Sequence, residues 1–293
     1  MITNYDLRLR MRKVIRPNLQ VLMVIALITV LPGLLVSVLT ALTGTDVLNW
    51  LYTYGIAATP NEQMLEELSA FLLERGWIYA ALNLAQMLIT PVLLLGLINA
   101  VLTLLRGGTA VFSMAFSRLN AFVRSVGVSF WVAIKIILWE LPPMLLVVAA
   151  SFVAVQAQDI SILLLAASIA SIAATVLALM ATYRYAMSFL FLADDPETGV
   201  FECVRRSKAV MKNRKMQLFS LEIPYLLGSS LLASLISTLL GGAVGTALSM
   251  MVQLIFTVYL YGARCAFYEA YARPEGGRTH AFQSDPYHDE MKE

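Results

Sequence analysis

The sequence predicts an all-α, polytopic membrane protein: a bundle of about six transmembrane helices with amphipathic surface helices on its cytoplasmic side. Three observations carry this. Hydrophobic residues make up 59% of the 293-residue chain and charged residues only 14%, against about 25% charged in soluble domains. The apolar residues come in runs of about twenty or more, enough for a helix to cross the roughly 30 Å hydrocarbon core with each backbone group paired inside its own segment. Lysine and arginine are sorted into alternate loops.

The apolar runs place spans at 19–43, 77–105, 126–156, 160–192, 216–240 and 243–270, forming a single membrane domain over 1–270. The first run, Leu19 to Leu42, is too long for a signal h-region and lacks a clear small-residue cleavage site, so it stays as a span. Gln156-Ala157-Gln158-Asp159 separates the third and fourth spans, and Gly241-Gly242-Ala243-Val244-Gly245 makes a tight turn between the last two. Residues 271–293 read as a polar, disordered cytoplasmic tail, and its His280 and His288 are too weak a pattern for a metal site. The two cysteines, Cys203 and Cys265, give neither a disulfide framework nor a zinc site.

The loops set the orientation. The basic residues outside the spans are Arg8, Arg10, Arg12, Lys13 and Arg16, then Arg106, Arg118 and Arg124, then Arg205, Arg206, Lys208, Lys212, Arg214 and Lys215, and finally Arg273, Arg278 and Lys292. All lie in the first, third, fifth and last hydrophilic segments, and the intervening segments carry only Arg75. The positive-inside rule then puts both termini in the cytoplasm. The outward segment 44–76 is acidic. Its Thr59-Pro60-Asn61-Glu62 reads as a helix start, Met64, Leu68, Phe71 and Leu72 share a face, and Gly76 is the expected end of a short surface helix.

Three inner segments look alike. In 111–124, Phe112, Ala115, Phe116, Leu119 and Val123 share an arc. In 197–212, Val200, Val204, Ser207 and Met211 oppose Arg205, Lys208 and Lys212. Near the N-terminus, Leu7, Met11 and Val14 lie beside Arg8 and Arg12. An apolar face with a basic flank suits a helix in the inner headgroup layer, where each basic residue near an anionic leaflet contributes about 1 kcal/mol. Arg118, Arg124, Arg205, Arg206, Lys208 and Lys212 are therefore the expected lipid-headgroup contacts. The plan is three units, each a basic surface helix followed by a transmembrane hairpin.

Leu192-Ala193-Asp194-Asp195-Pro196 closes the fourth span. Ser207-Lys208-Ala209-Val210-Met211-Lys212-Asn213-Arg214-Lys215 and then Leu218-Phe219 follow, and the last span ends in Ala266-Phe267-Tyr268. This pattern resembles the bacterial membrane family called domain of unknown function 975, best over about 180–270 and in layout alone before that. The family is similar in plan to the membrane domain attached to some glycerophosphodiester phosphodiesterases. Asn213 stands where that pattern expects glycine. The resemblance implies a bacterial cytoplasmic membrane protein and carries over no catalytic residue.

The most informative residues are the charges inside spans: Lys135 and Glu140 in the third, Arg184 in the fourth, Glu222 in the fifth, and Arg264 and Glu269 in the sixth. A charge at mid-bilayer costs about 2.5–3.5 kcal/mol on insertion scales, so pairing is expected. Glu222, Arg184 and Arg264 lie at one depth, which makes Glu222 with Arg184 or Arg264 the preferred pair. A structural ion-pair cluster is favoured over a polar pocket or proton path. Asp194-Asp195 is read as a cap, with Asp195 capping a helix that begins at Pro196, rather than as a metal pair. Small-residue stripes such as Ala170, Ala174 and Ala178 allow a homo-oligomer or a membrane protein partner. The prolines Pro32, Pro91, Pro142, Pro143 and Pro224 bend spans, as in transporters.

No H-E-x-x-H, G-x-S-x-G or phosphate-binding loop occurs, so no enzyme, cofactor, metal or nucleic-acid role is expected. The preferred reading is an accessory or structural protein that organises lipid or partner proteins through its basic surface helices, with the bilayer and its anionic lipids at the cytoplasmic face as partners. The alternative is a small transporter or channel using the buried charges, and an intramembrane enzyme acting on lipid is third. The orientation has a direct test. A cysteine placed near Glu66 should react with an impermeant reagent from outside and one near Lys212 should not, and the reverse pattern overturns it.

Overall fold

The structure, a computed structural model, describes residues 3–43, 62–157 and 160–273. Among these the protein is helical with no strand. Helix α1 spans Asn4–Ile15, α2 Leu19–Thr43, α3 Glu62–Leu105, α4 Phe122–Ala157, α5 Ile160–Tyr185, α6 Ser188–Asp194, α7 Val200–Val210, α8 Lys215–Leu240 and α9 Gly242–Tyr271. Six stretches are long and apolar enough to cross a membrane, one in each of α2, α3, α4, α5–α6, α8 and α9. Phe152, Leu165, Ile172 and Leu231 stay mostly exposed, a surface that suits lipid and not water.

The helices pair into three hairpins, α2 with α3, α4 with α5 and α8 with α9. The most apolar window of α3 is 67% buried, whereas the corresponding figure for the other five stretches is 22% at most. Helix α3 therefore occupies the middle, touching α2, α4, α6 and α9. The core is where the ends of the second helices converge: Leu97, Ile98, Val101 and Leu102 of α3, Leu190 and Leu192 of α6, and Ala263 and Phe267 of α9.

Each inner segment seats on the hairpin that precedes it around the bundle, not on the one it leads into. The 3-10 turn Phe112–Phe116 packs on α3 and α2, α7 on α4, α5 and α6, and α1 chiefly on α9. The cycle thus closes through the N-terminus. Glycines open two of the seats. A Cβ on Gly96 of α3 would stand 2.2 Å from the Ala115 carbonyl oxygen, and one on Gly262 of α9 would stand 2.2 Å from Ile15 Cδ1. At the third seat, Ser207 of α7 enters a break in the α5–α6 rod: the Met187 N–H donates to its Oγ at 3.1 Å, and its hydroxyl donates to the Arg184 carbonyl at 3.2 Å. A side chain inserted into the helical ladder in this way accounts for the break.

Several expectations change. Leu7, Met11 and Ile15 of α1, and Val204, Ser207 and Met211 across α7 and its end, are buried in protein rather than laid on lipid. A stripe repeating every fourth residue is narrow, and it fits a helix–helix seam. Segment 111–124 is two 3-10 turns, Phe112–Phe116 and Leu119–Ala121, and then the start of α4. Of its apolar arc Ala115 alone is buried, with Phe112, Phe116, Leu119 and Val123 exposed. Gly76 ends nothing, because α3 runs through it from Glu62. The fourth span is interrupted at Ala186–Met187. The five prolines all sit inside continuing helices.

The turn at Gly241 and Gly242 is as expected, with φ of 57° and 53° that favour glycine. Asn213 has a φ of 67°, which is why glycine is the natural residue there and asparagine the next best. Thr59, Pro60 and Asn61, the side chains of Met64, Leu68, Phe71 and Leu72, the Gln158–Asp159 break and the tail from residue 274 lie outside the described residues.

The Gly96 seat is testable. Gly96→Ala gains helix propensity but drives a methyl into backbone, and overpacking of this kind costs about 1–3 kcal/mol. Gly245→Ala gains the same propensity, and its Cβ meets nothing closer than 3.4 Å. Melts in detergent should show a lower Tm for Gly96→Ala and an unchanged or higher one for Gly245→Ala. Equal melts would contradict the seating of residues 112–116.

Candidate functional site

The buried charges form two networks and one open cleft. In the first network Glu222 of α8 is wholly inaccessible. It accepts from Arg264 of α9 through both oxygens, Nε to Oε1 at 2.8 Å and Nη2 to Oε2 at 3.1 Å. The Tyr183 hydroxyl of α5 donates to Oε2 at 3.1 Å. The fork geometry matches guanidinium to carboxylate, and the Gly241–Gly242 turn keeps α8 and α9 adjacent. Arg264 also lies over the Tyr261 ring at 5.5 Å.

The second network ties the ends of three helices. Arg106, just past α3, reaches Glu269 of α9 with Nη2 at 2.6 Å and Asp194 of α6 at 2.7 Å. Glu269 also accepts from Arg273 at 3.0 Å, and the Tyr268 hydroxyl donates to Asp194 at 3.0 Å. Burial disfavours the Arg106 cation, but Glu269 and Asp194 outweigh it and raise its pKa above the ordinary guanidinium value. Arg106, Asp194 and Arg273 had no place among the sequence candidates. Arg106 and Arg273 read as exposed loop charge and Asp194 as part of a cap. The available signal was that Glu269, Asp194 and Arg106 each fall where an even-numbered span ends.

Asp195 caps a turn rather than a helix. It accepts from the Thr198 hydroxyl at 2.7 Å and the Glu197 N–H at 3.1 Å, while α7 begins at Val200 behind Gly199. The Thr198 hydroxyl, and then the Glu197 amide, hold the Asp195 carboxyl below its ordinary value. Burial pushes the Cys203 thiol up to about 11.

Arg184 does not join Glu222. It lies over the Trp139 ring at 5.7 Å, and Lys135 lies over the Trp131 ring at 4.8 Å. These four side chains of α4 and α5, with Arg205 and Lys208 of α7, line an open cleft of about 700 Å³. Among the described residues no carboxylate lines it. Glu140 is half-buried and outside it, and has no ion pair among the described residues.

The expected headgroup contacts divide. Arg118 donates to the Asn99 side chain at 2.9 Å, and Arg124 to the Pro196 carbonyl at 2.6 Å and to Glu197 at 2.9 Å. Arg205 and Arg206 share Glu202 at 2.5 and 2.8 Å. Lys208 is exposed at the cleft mouth and Lys212 is exposed. Among the described residues no three His, Cys, Asp or Glu side chains gather to hold a metal.

A family model described as a protein of unknown function, DUF975, matches residues 1–273. The chain belongs to the DUF975 family. The match takes in the N-terminal half, where the sequence pattern showed likeness in layout alone. No curated protein and no solved structure matches the chain.

For this DUF975 chain the Glu222–Arg264 pair is separable by a double-mutant cycle. Glu222→Gln and Arg264→Gln should each cost about 3–5 kcal/mol by stranding a buried partner, and the double variant should lose clearly less than their sum. The cycle of Glu222 with Arg184 should be additive. Thermal melts in detergent read both, and additivity in the first cycle would remove the pair.

Proposed function

We propose that the chain is a non-enzymatic accessory or structural protein that organises lipid at the cytoplasmic face of a bacterial plasma membrane, with both termini inward. What supports this is the division of charge. The buried carboxylates Glu222 and Glu269 and the half-buried Asp194 are each neutralised by an arginine from another part of the bundle, whereas Lys135, Arg184 and Lys208 line an open cleft without an acid among the described residues. Charges closed on one another fix helix register, and cations left open attract anionic lipid.

A transporter or channel needs a wet route to its working charges. Among the described residues, neither Glu222 nor Arg264 lines the cleft or two smaller cavities, of about 400 and 230 Å³, on α3–α4 and α8–α9. That favours the accessory role, with anionic lipid as the direct partner and a second copy or another membrane protein as a further one.

Lipids retained through purification from mixed anionic and zwitterionic bilayers, measured by mass spectrometry, should be enriched in the anionic species. Proteoliposomes should show no proton or solute flux above empty vesicles. Absence of enrichment together with flux that depends on Glu222 would replace this reading with the transporter.

A further inference from the structure

The cleft between α4, α5 and α7 holds cations that the protein itself does not neutralise. Lys135 and Arg184 lie within the stretches long and apolar enough to cross a membrane, where an unpaired charge costs about 2.5–3.5 kcal/mol at the centre. Their partners are aromatic rings at 4.8 and 5.7 Å. Such contacts return about 0.5–1 kcal/mol when exposed and about 2 when desolvated, and neither cation has an ion pair among the described residues. Lys208 adds a third cation, and Arg205, already held by Glu202 at 2.5 Å, adds a fourth. An anion in the cleft would complete the balance.

The walls say what kind of anion. Leu138, Pro142 and Leu177 form the apolar part of the lining, and Ile137 and Leu141 beside them are exposed along α4. The cleft thus runs from a cationic, aromatic head into a greasy flank. A free phosphate would have to leave water to reach cations set within an apolar length. A phospholipid brings its phosphate there with acyl chains that the flank accepts.

We propose that this cleft binds the phosphate headgroup of an anionic phospholipid, with Lys135, Arg184 and Lys208 on the phosphate and the acyl chains along Leu138, Pro142 and Leu177. This rests on the lipid-organising function above and assigns it one site. The Arg184 carbonyl accepts from Ser207 of α7 at 3.2 Å, and α7 is held against the cleft by Ser207 and by the edge-on contact of Phe201 with Trp131 at 4.9 Å. The phosphate is the shared chemistry, and lipid rather than free phosphate is the occupant.

Two of the four tryptophans, Trp131 and Trp139, line the cleft and serve as reporters. With Trp50→Phe and Trp77→Phe as the parent, the protein is placed in vesicles containing phosphatidylglycerol or phosphatidylcholine with brominated chains. Phosphatidylglycerol should quench at a mole fraction about tenfold lower, the effect of roughly one charge-assisted contact. Lys135→Gln with Arg184→Gln should abolish that preference, and Arg16→Gln with Lys215→Gln, which remove equal charge away from the cleft, should keep it. A preference untouched by the first pair, or lost equally with the second, overturns the site. If anionic lipid still co-purifies in that case, the broader function survives and only the cleft fails.

Melts guard against misfolding. Because these cations lack acids, the cleft variant should melt no lower than its parent in zwitterionic detergent, and only the parent should gain Tm on adding phosphatidylglycerol. A variant that melts lower in both conditions would make the two cations structural and overturn the site. Inorganic phosphate added to the detergent-solubilised parent should leave Tm unchanged. A gain equal to that from the lipid would make free phosphate the ligand and overturn the lipid assignment.

Discussion

One guanidinium, that of Arg106, is shared by carboxylates from two other helices and holds the three hairpins together at one end. It closes on Glu269 of α9 and Asp194 of α6. Charged groups in an apolar bundle are tolerable only when paired and hydrogen-bonded, and stranding one costs far more than the pair contributes. The lock therefore acts less as a source of net stability than as a constraint on where α3, α6 and α9 can end. The packing follows from it. Phe191 and Tyr268 meet edge to face at 5.1 Å beside Asp194, and the buried residues of the three helices form one continuous core on the same side. Glu222 with Arg264 does the corresponding work within one hairpin, setting the register of α8 against α9.

With the second helices drawn together, the inner ends of the hairpins offer shallow seats, and the connecting segments fill them. The topology makes each segment cross to the hairpin already laid down, and α1 fills the seat on α9 that has no later segment to take it. The N-terminal helix thus closes the ring. Thr3 and Asp6 form a capping box at its start, and the Asn4 and Arg8 side chains donate to the Ser220 hydroxyl and carbonyl, each at 2.6 Å. The apolar stripes of α1 and α7 that looked like lipid-facing surfaces are spent on this docking, whereas Phe112, Phe116, Leu119 and Val123 of the third segment stay exposed.

Much of this was legible in the residues. Span number, the last turn and the Glu222–Arg264 pair follow from apolar length, paired glycines and equal depth along consecutive spans. Depth alone could not choose between Arg184 and Arg264, because it carries no information about which helices are neighbours across the bundle. The Arg106 lock was hidden for a related reason. An arginine just past a span reads as ordinary inside charge, and nothing local shows that two carboxylates from distant segments converge on it. Asp195 misled because an acid before proline has the same appearance whether it caps a helix or a turn. Here Thr198 takes its second oxygen and delays α7 to Val200.

The three hairpins are alike in plan and unlike in charge. All three hairpins contribute to the closed networks, the middle one through Asp194 and Tyr183, but the middle one also presents Lys135 and Arg184 with no acid lining their cleft among the described residues. Glu140 is the nearest carboxylate on the same helix. Five residues along an α-helix turn it about 140° away from Lys135, so the two cannot share a face. The acid of α7, the other helix at the cleft, is Glu202, and it is occupied by Arg205 and Arg206. Positive charge is thus left on a single flank by the helical period itself. A protein that needed only a rigid bundle could have carried apolar residues at those two positions at lower cost. Keeping cations there, backed by tryptophans and opened toward the apolar surface, is what separates this flank from the scaffold around it.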